Sequence, residues 1–400
     1  MIDLSDADYW RDPYPILERE RAAGPTTRTT QGELVLLRAE DVEFLHGDRH
    51  FSTMGLLDLE RIGIHDGPFY EWRARTLNVM NGMDHERLRG YVGRAFFPKQ
   101  INRLRSLVRE RANTLIDAVI EAGEMDFLEG FAEDLPLWTM CLFLGIDDAD
   151  RLSIGASLTG TEEGFTQMMT PQIRGRVEAS IVALNEYVTE LIARRTREPK
   201  EDIVSVLAQL RAAGEGPNED EMHALIVNVI GGSVGSTSSA LSNSLLLFAD
   251  HPDQADTLRA RPELARAAVE ECLRFRPPFR IARRRVVDPI TAFGVDLKPA
   301  DTVFVPRQAA NRDPERWNDP DRFDIERPEK RHLSFGYGAH FCLGAAIARA
   351  NLQEALPIVL DRLRDIEVVG KPERVPFTMD EKLDRLRIRF RPNRPSGTAV

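Results

Sequence analysis

Between Met222 and Ala249 the chain is apolar on nearly every helical face, interrupted mainly by small polar residues and glycines. A helix that is hydrophobic all round belongs in the interior of a fold large enough to surround it. Gly231, Gly232 and Gly235 lie in the middle of this segment, where each costs about 1 kcal/mol against alanine. Such a placement predicts either close approach of a ligand at the glycines or a local opening of the helix.

The remaining periodicities are mostly helical. Ile101, Leu104, Val108, Leu115, Val119 and Ile120 share one face, and the same spacing recurs over Tyr187–Arg197, Ile203–Leu210 and Pro262–Phe275. A further helix is expected over Gly344–Leu363, bent by Pro357. Short strands are expected at Glu33–Arg38, Thr302–Pro306 and Leu386–Phe390, with Lys298–Asp301 as a turn. The expected class is mainly α with small β-sheets, an α+β fold.

The 400 residues carry a net charge of −11 with the charges interspersed, which argues against a nucleic-acid-binding surface. Met1–Pro25 has no signal-peptide pattern, and no stretch reaches the roughly 20 uninterrupted apolar residues of a membrane span. Three cysteines make no disulfide framework. A cytoplasmic protein, monomeric and away from membranes, is the expectation.

Cys141 and Cys272 sit in apolar helical patterns and read as small core residues. Cys342 is placed differently, in Phe335-Gly336-Tyr337-Gly338-Ala339-His340-Phe341-Cys342-Leu343-Gly344, with a helical pattern directly after it. The glycines permit a tight turn, and the cysteine falls at a helix foot, where free N–H groups and the positive dipole end favour a thiolate. Two rivals compete for this residue. Zinc would draw on His332, His340 and Cys342, which lack zinc-site spacing; a cysteine hydrolase would pair Cys342 with His340.

The ten-residue stretch resembles the haem-binding signature of cytochromes P-450, F-x-x-G-x-x-x-C-x-G, with Phe335, Gly338, Cys342 and Gly344 at every fixed position. The resemblance implies haem b (iron protoporphyrin IX), held through Cys342 between a long central distal helix and the cysteine loop with its helix. Glu271-Cys272-Leu273-Arg274 matches the family's E-x-x-R, whose third partner is either Arg322 or Arg327. His85 and Arg89 in Asp84–Arg89, together with Arg283 and His340, match the residues that meet the haem propionates. Motifs spread from His85 to Gly344 around one cofactor imply a single domain over residues 1–400, with a frayed tail from Arg391.

One part of the pattern breaks. Family members carry an acid and a threonine on the distal helix, which deliver protons during oxygen activation. Counting back from His251-Pro252 places Gly235 at the acid and Ser236, followed by Thr237, at the alcohol. No acidic residue lies between Glu221 and Asp250. Four readings follow: monooxygenation with proton relay through Ser236 or Thr237, use of peroxide, oxidative coupling or dealkylation, or a non-catalytic haem sensor or carrier. The resemblance implies electrons from a separate ferredoxin or flavodoxin with its reductase, docking near Arg105 or Lys330. It also implies a small or medium apolar organic substrate, lined by Phe51–Asn81, Phe165–Pro171, the central helix, Pro277–Ala282 and Phe377-Thr378.

Overall fold

The computed structural model describes residues 1–95, 98–166, 169–328 and 330–393. The apolar segment forms two helices end to end, Glu219–Ser233 and Gly235–Asp250. Asn218 opens the first with a capping box, accepting from the Glu221 N–H while the Glu221 carboxylate accepts from the Asn218 N–H, which satisfies two orphan donors at once. The helix opens at Val234, whose φ of −92° and ψ of −61° depart from the flanking turns.

By length and composition this 32-residue pair is apolar enough to cross a membrane. Its apolar faces are instead spent on the protein. Met222, Leu225, Ile226 and Ile230 pack with Leu144, Val177 and Leu184 in one core. Ala240, Leu241, Leu245 and Phe248 pack with Phe131, Phe323 and Leu356 in another. The interior helix thus joins the two largest clusters, as its all-round hydrophobicity requires.

Around it the described residues are mainly helical, with three small sheets among them. The predicted helix at 101–120 spans Pro98–Asp117, and Tyr187–Arg197 is the end of a longer helix, Pro171–Arg197. The helix after Cys342 runs Ala345–Arg362 with Pro357 inside it. Cys141 and Cys272 are buried.

The largest sheet orders its strands Thr26–Arg28, Leu34–Leu36, Thr302–Pro306, Ile281–Val286 and Phe51–Ser52. Leu34 pairs parallel with Val303, while Arg283 and Arg284 pair antiparallel with Phe304 and Val303. Arg387–Pro392 forms a second sheet with Leu363–Val368 and Glu124–Asp126. The expected turn at Lys298–Asp301 closes through the Asp301 N–H to the Lys298 carbonyl at 3.0 Å. Of the expected substrate-lining and tail segments, positions 167–168 and 394–400 lie outside the described residues.

Candidate functional site

The site is built around the loop that precedes Ala345–Arg362. The Cys342 N–H donates to the Phe335 carbonyl at 2.8 Å, closing the loop across seven residues. Two glycines inside it adopt positive φ, Gly336 at +74° and Gly338 at +69°. A Cβ on Gly338 would stand 2.7 Å from the His46 backbone carbonyl, so both conformation and close approach demand glycine. Gly344 caps the helix, and its N–H donates to the Cys342 thiol. Burial nevertheless raises the Cys342 pKa, against the pull of the Gly344 N–H and of Arg307, Arg89 and Arg349.

Five basic side chains gather beside this loop, Arg89 and Arg307 within the field of the thiol. Arg89 donates to the Phe341 carbonyl at 2.5 Å, within the field of Cys342. The His85 and His340 rings lie 4.2 Å apart between centroids, and His340 Nε2 is 3.3 Å from Asn81 Oδ1. Burial and the neighbouring cations pull the His340 pKa down to about 3. Arg307 and Arg284 complete the group. Burial lowers both guanidinium pKa values to about 10; Arg307 adds to the fall at Arg284, while Cys342 opposes it at Arg307.

Arg283, the expected propionate arginine, faces elsewhere. It stacks over Phe304 at 5.4 Å and lies 3.6 Å from Glu33. The physical reason is strand alternation: in Ile281–Val286 consecutive side chains point to opposite faces, so Arg284 takes the inner side. That signal was present in the sequence. Arg307 had none, since it follows an apolar strand and belongs to no motif.

Neither Arg284 nor Arg307 pairs with a carboxylate among the described residues. Cations partly withdrawn from water without a counter-anion are costly, so the arrangement calls for a ligand with acidic groups at one edge. Haem has two propionates and an iron that takes a sulfur ligand, and the donor set fits it.

On the other side lies the broken interior helix. Thr237 donates its hydroxyl to the Ser233 carbonyl at 2.9 Å. Gly232 and Ser236 are i,i+4 neighbours on one face, which is left open: Gly232 is exposed, Ser236 half-buried. Gly231 and Gly235 form the adjacent row. A Cβ on Gly231 would meet the Trp72 ring at 3.3 Å, and one on Gly235 would meet Glu162 Oε1 at 2.5 Å. The glycines are thus explained by both a helix opening and close approach, though the approaching groups are side chains of the protein. Met54, Gly55, Leu56, Leu57, Glu60, Ala74, Val79 and Arg285 line a separate cleft of about 320 Å³.

The E-x-x-R pair is buried, with Arg274 Nε 2.7 Å from Glu271 Oε2. Arg327 is the third member: its Nε lies 3.2 Å from Glu271 Oε1. Arg322, the other candidate, turns its side chain outward, 3.9 Å from Asp324, and contributes only its carbonyl. The zinc trio does not gather, because His332 is 3.2 Å from Glu270, which also holds Arg349, while His340 stacks on His85. Of the two docking candidates, Arg105 is bound to Glu354 and Gln353, and Lys330 reaches the Arg316 carbonyl.

A cysteine thiol in a glycine loop beside half-buried cations that meet no carboxylate among the described residues, in a fold that also holds a notched apolar helix, fits the haem-thiolate class. Comparison with known proteins agrees. The cytochrome P-450 family model matches residues 162–373. The luteothin monooxygenase of Streptomyces thioluteus is 32% identical over 375 residues, covering 92% of this chain and 91% of that protein. The crystal structure of CalO2 superposes with a TM-score of 0.91 at 31% identity, covering 98% and 99% of the two chains. That of P450BioI with an acyl carrier protein carrying hexadec-9Z-enoic acid gives 0.89 at 26% identity, covering 96% and 100%. The chain belongs to the cytochrome P-450 family and is an oxidoreductase of the monooxygenase type, with haem iron as its cofactor.

Proposed function

We propose that this protein uses haem b, dioxygen and electrons from a separate ferredoxin or flavodoxin to oxidise a small or medium apolar organic molecule. It does so as a cytoplasmic, single-domain monomer. The observation that carries the reading is the pair of half-buried guanidiniums, Arg284 and Arg307, which meet no carboxylate among the described residues, Arg307 lying within the field of the Cys342 thiol. The bacterial origin of the relatives and the burial of the central helix support the location.

When bound, the haem supplies electron acceptance, dioxygen binding and oxidation of the C–H bond. Cys342 anchors it and pushes electron density toward the iron. Arg89, Arg284, Arg307, His85 and His340 hold its acidic edge by charge-assisted hydrogen bonds. Trp72, stacked on Phe69 at 6.0 Å, and Leu77 keep water from the substrate side and favour an apolar guest. The Ser236 hydroxyl, on the open face, is the group that passes protons inward; the Thr237 oxygen, its hydrogen donated to the Ser233 carbonyl, can accept a hydrogen bond in return. One relative is named a luteothin monooxygenase and another a polyketide biosynthesis cytochrome P-450, PksS, which supports a carbon-rich natural product as substrate.

Titration of the ferric protein with terpenoid, steroid, aromatic and polyketide compounds tests the reading, followed by turnover with a surrogate ferredoxin, its reductase and NADPH. A Soret shift on binding and an NADPH-dependent oxygenated product are expected. Binding without product, and without NADPH consumption above background, would instead mark a haem sensor or carrier.

A further inference from the structure

The distal helix has no acid of its own, yet a carboxylate stands at the place where one would project. Glu162, the last residue of the helix Arg151–Glu162, reaches across to the opening at Val234. Its carboxylate accepts a hydrogen bond from the Gly235 N–H. A side chain at Gly235 would have to enter the space that Glu162 already fills, with Oε1 2.5 Å, Cδ 2.8 Å and Oε2 3.0 Å from its first carbon. Absence of an acid at position 235 and presence of Glu162 are therefore one arrangement.

We propose that Glu162 is the proton-holding carboxylate of the distal notch, supplied from a neighbouring helix in place of the missing acid and acting through Ser236. The proposal rests on the haem-thiolate reading above. The step is a proton transfer alone. The Glu162 carboxyl gives H⁺ to the Ser236 hydroxyl oxygen as that hydroxyl passes its own proton to a water on the open face, and Glu162 becomes a carboxylate, held by the Gly235 N–H and the Lys382 ammonium. A proton from solvent, entering past Lys382, restores it. Lys382 Nζ lies 3.6 Å from Glu162 Oε2, and its side chain is 30% exposed, so Glu162 stands between solvent and the notch.

The charged surroundings suit this task. Burial pushes the Glu162 pKa up to about 7, and Asp380 and Glu133 add to the rise, while Lys382 and the Gly235 N–H oppose it. Asp380 is itself raised by burial, and sits 3.4 Å from the Ser239 hydroxyl one turn further along the same helix. A carboxyl that titrates near neutrality can both hold and release a proton at working pH.

The test uses the holoenzyme and needs no substrate. Infrared spectra recorded against pH report protonated buried carboxyls directly. Wild type is expected to show a carboxyl band that titrates near pH 7 and is lost in Glu162→Gln, but kept in Asp380→Asn. In Lys382→Met the band should titrate about one unit higher, since a nearby ammonium lowers a carboxyl pKa by roughly 1–3 units. In parallel, NADPH oxidation with surrogate ferredoxin and reductase should fall as pH rises through 7. Glu162→Gln should remove that inflection, and Glu162→Asp or the double variant Glu162→Ala/Gly235→Asp should restore one. A band and inflection that survive Glu162→Gln, or a band that vanishes in Asp380→Asn instead, would overturn the proposal. Each variant is first scored for its reduced, CO-bound spectrum, so a failure of thiolate ligation is read separately from a failure of Glu162.

Discussion

Arg283 and Arg284 are neighbours in one strand and serve opposite sides of it: Arg283 lies over Phe304 and 3.6 Å from Glu33, whereas Arg284 lies half-buried beside Arg307 and pairs with no carboxylate among the described residues. Haem retention should therefore separate them. Arg284→Ala and Arg307→Ala each remove a charge-assisted bond worth roughly 1.5–3 kcal/mol, an expected ten- to hundredfold faster loss of haem to an apomyoglobin trap. Arg283→Ala should lose haem at the wild-type rate.

The Glu271 carboxylate has two buried guanidinium partners, Arg274 and Arg327. Glu271→Ala strands both and should cost about 3–5 kcal/mol of unfolding stability. Arg322→Ala, at an exposed side chain, should stay within about 0.5 kcal/mol. Urea unfolding of the three proteins decides which arginine belongs to the network.

Such choices show what the sequence made legible. The cysteine loop could be read because its chemistry needs fixed residue types at fixed spacing, Gly338 and Cys342 among them. The buried central helix was visible because no surface position tolerates its composition. Arg322 and Arg327 could not be separated, because an irregular segment offers no period from which to infer facing. Glu162 was beyond reach for a different reason: its partner, Gly235, is 73 residues away by simple subtraction of their numbers, and only tertiary packing joins them.

Acid should loosen the cysteine-loop side of the molecule. Glu270 bonds Arg349 and His332, and these partners outweigh burial to hold its pKa at about 2, below the ordinary 4.5. A depressed folded-state pKa contributes stability that is complete above about pH 4.5 and is lost as pH falls toward about 2. The expected size is on the order of 2–3 kcal/mol, discounted for the partly exposed Arg349. Urea midpoints of the wild type should fall across that window, and those of Glu270→Gln should fall less.

Gly338→Ala places a methyl group 2.7 Å from the His46 carbonyl at a φ of +69°. Backbone strain of this kind costs about 1–3 kcal/mol, and it falls four residues before Cys342. The variant should fold with reduced haem content, measured as the ratio of Soret to protein absorbance.

The central claim is that Cys342 sulfur ligates the iron. Absorption of the reduced, CO-bound protein tests it most directly, with Cys342→Ala alongside. The account predicts the red-shifted thiolate band in wild type and its loss in the variant. A wild-type spectrum without that band, or a variant that keeps it, would contradict the assignment.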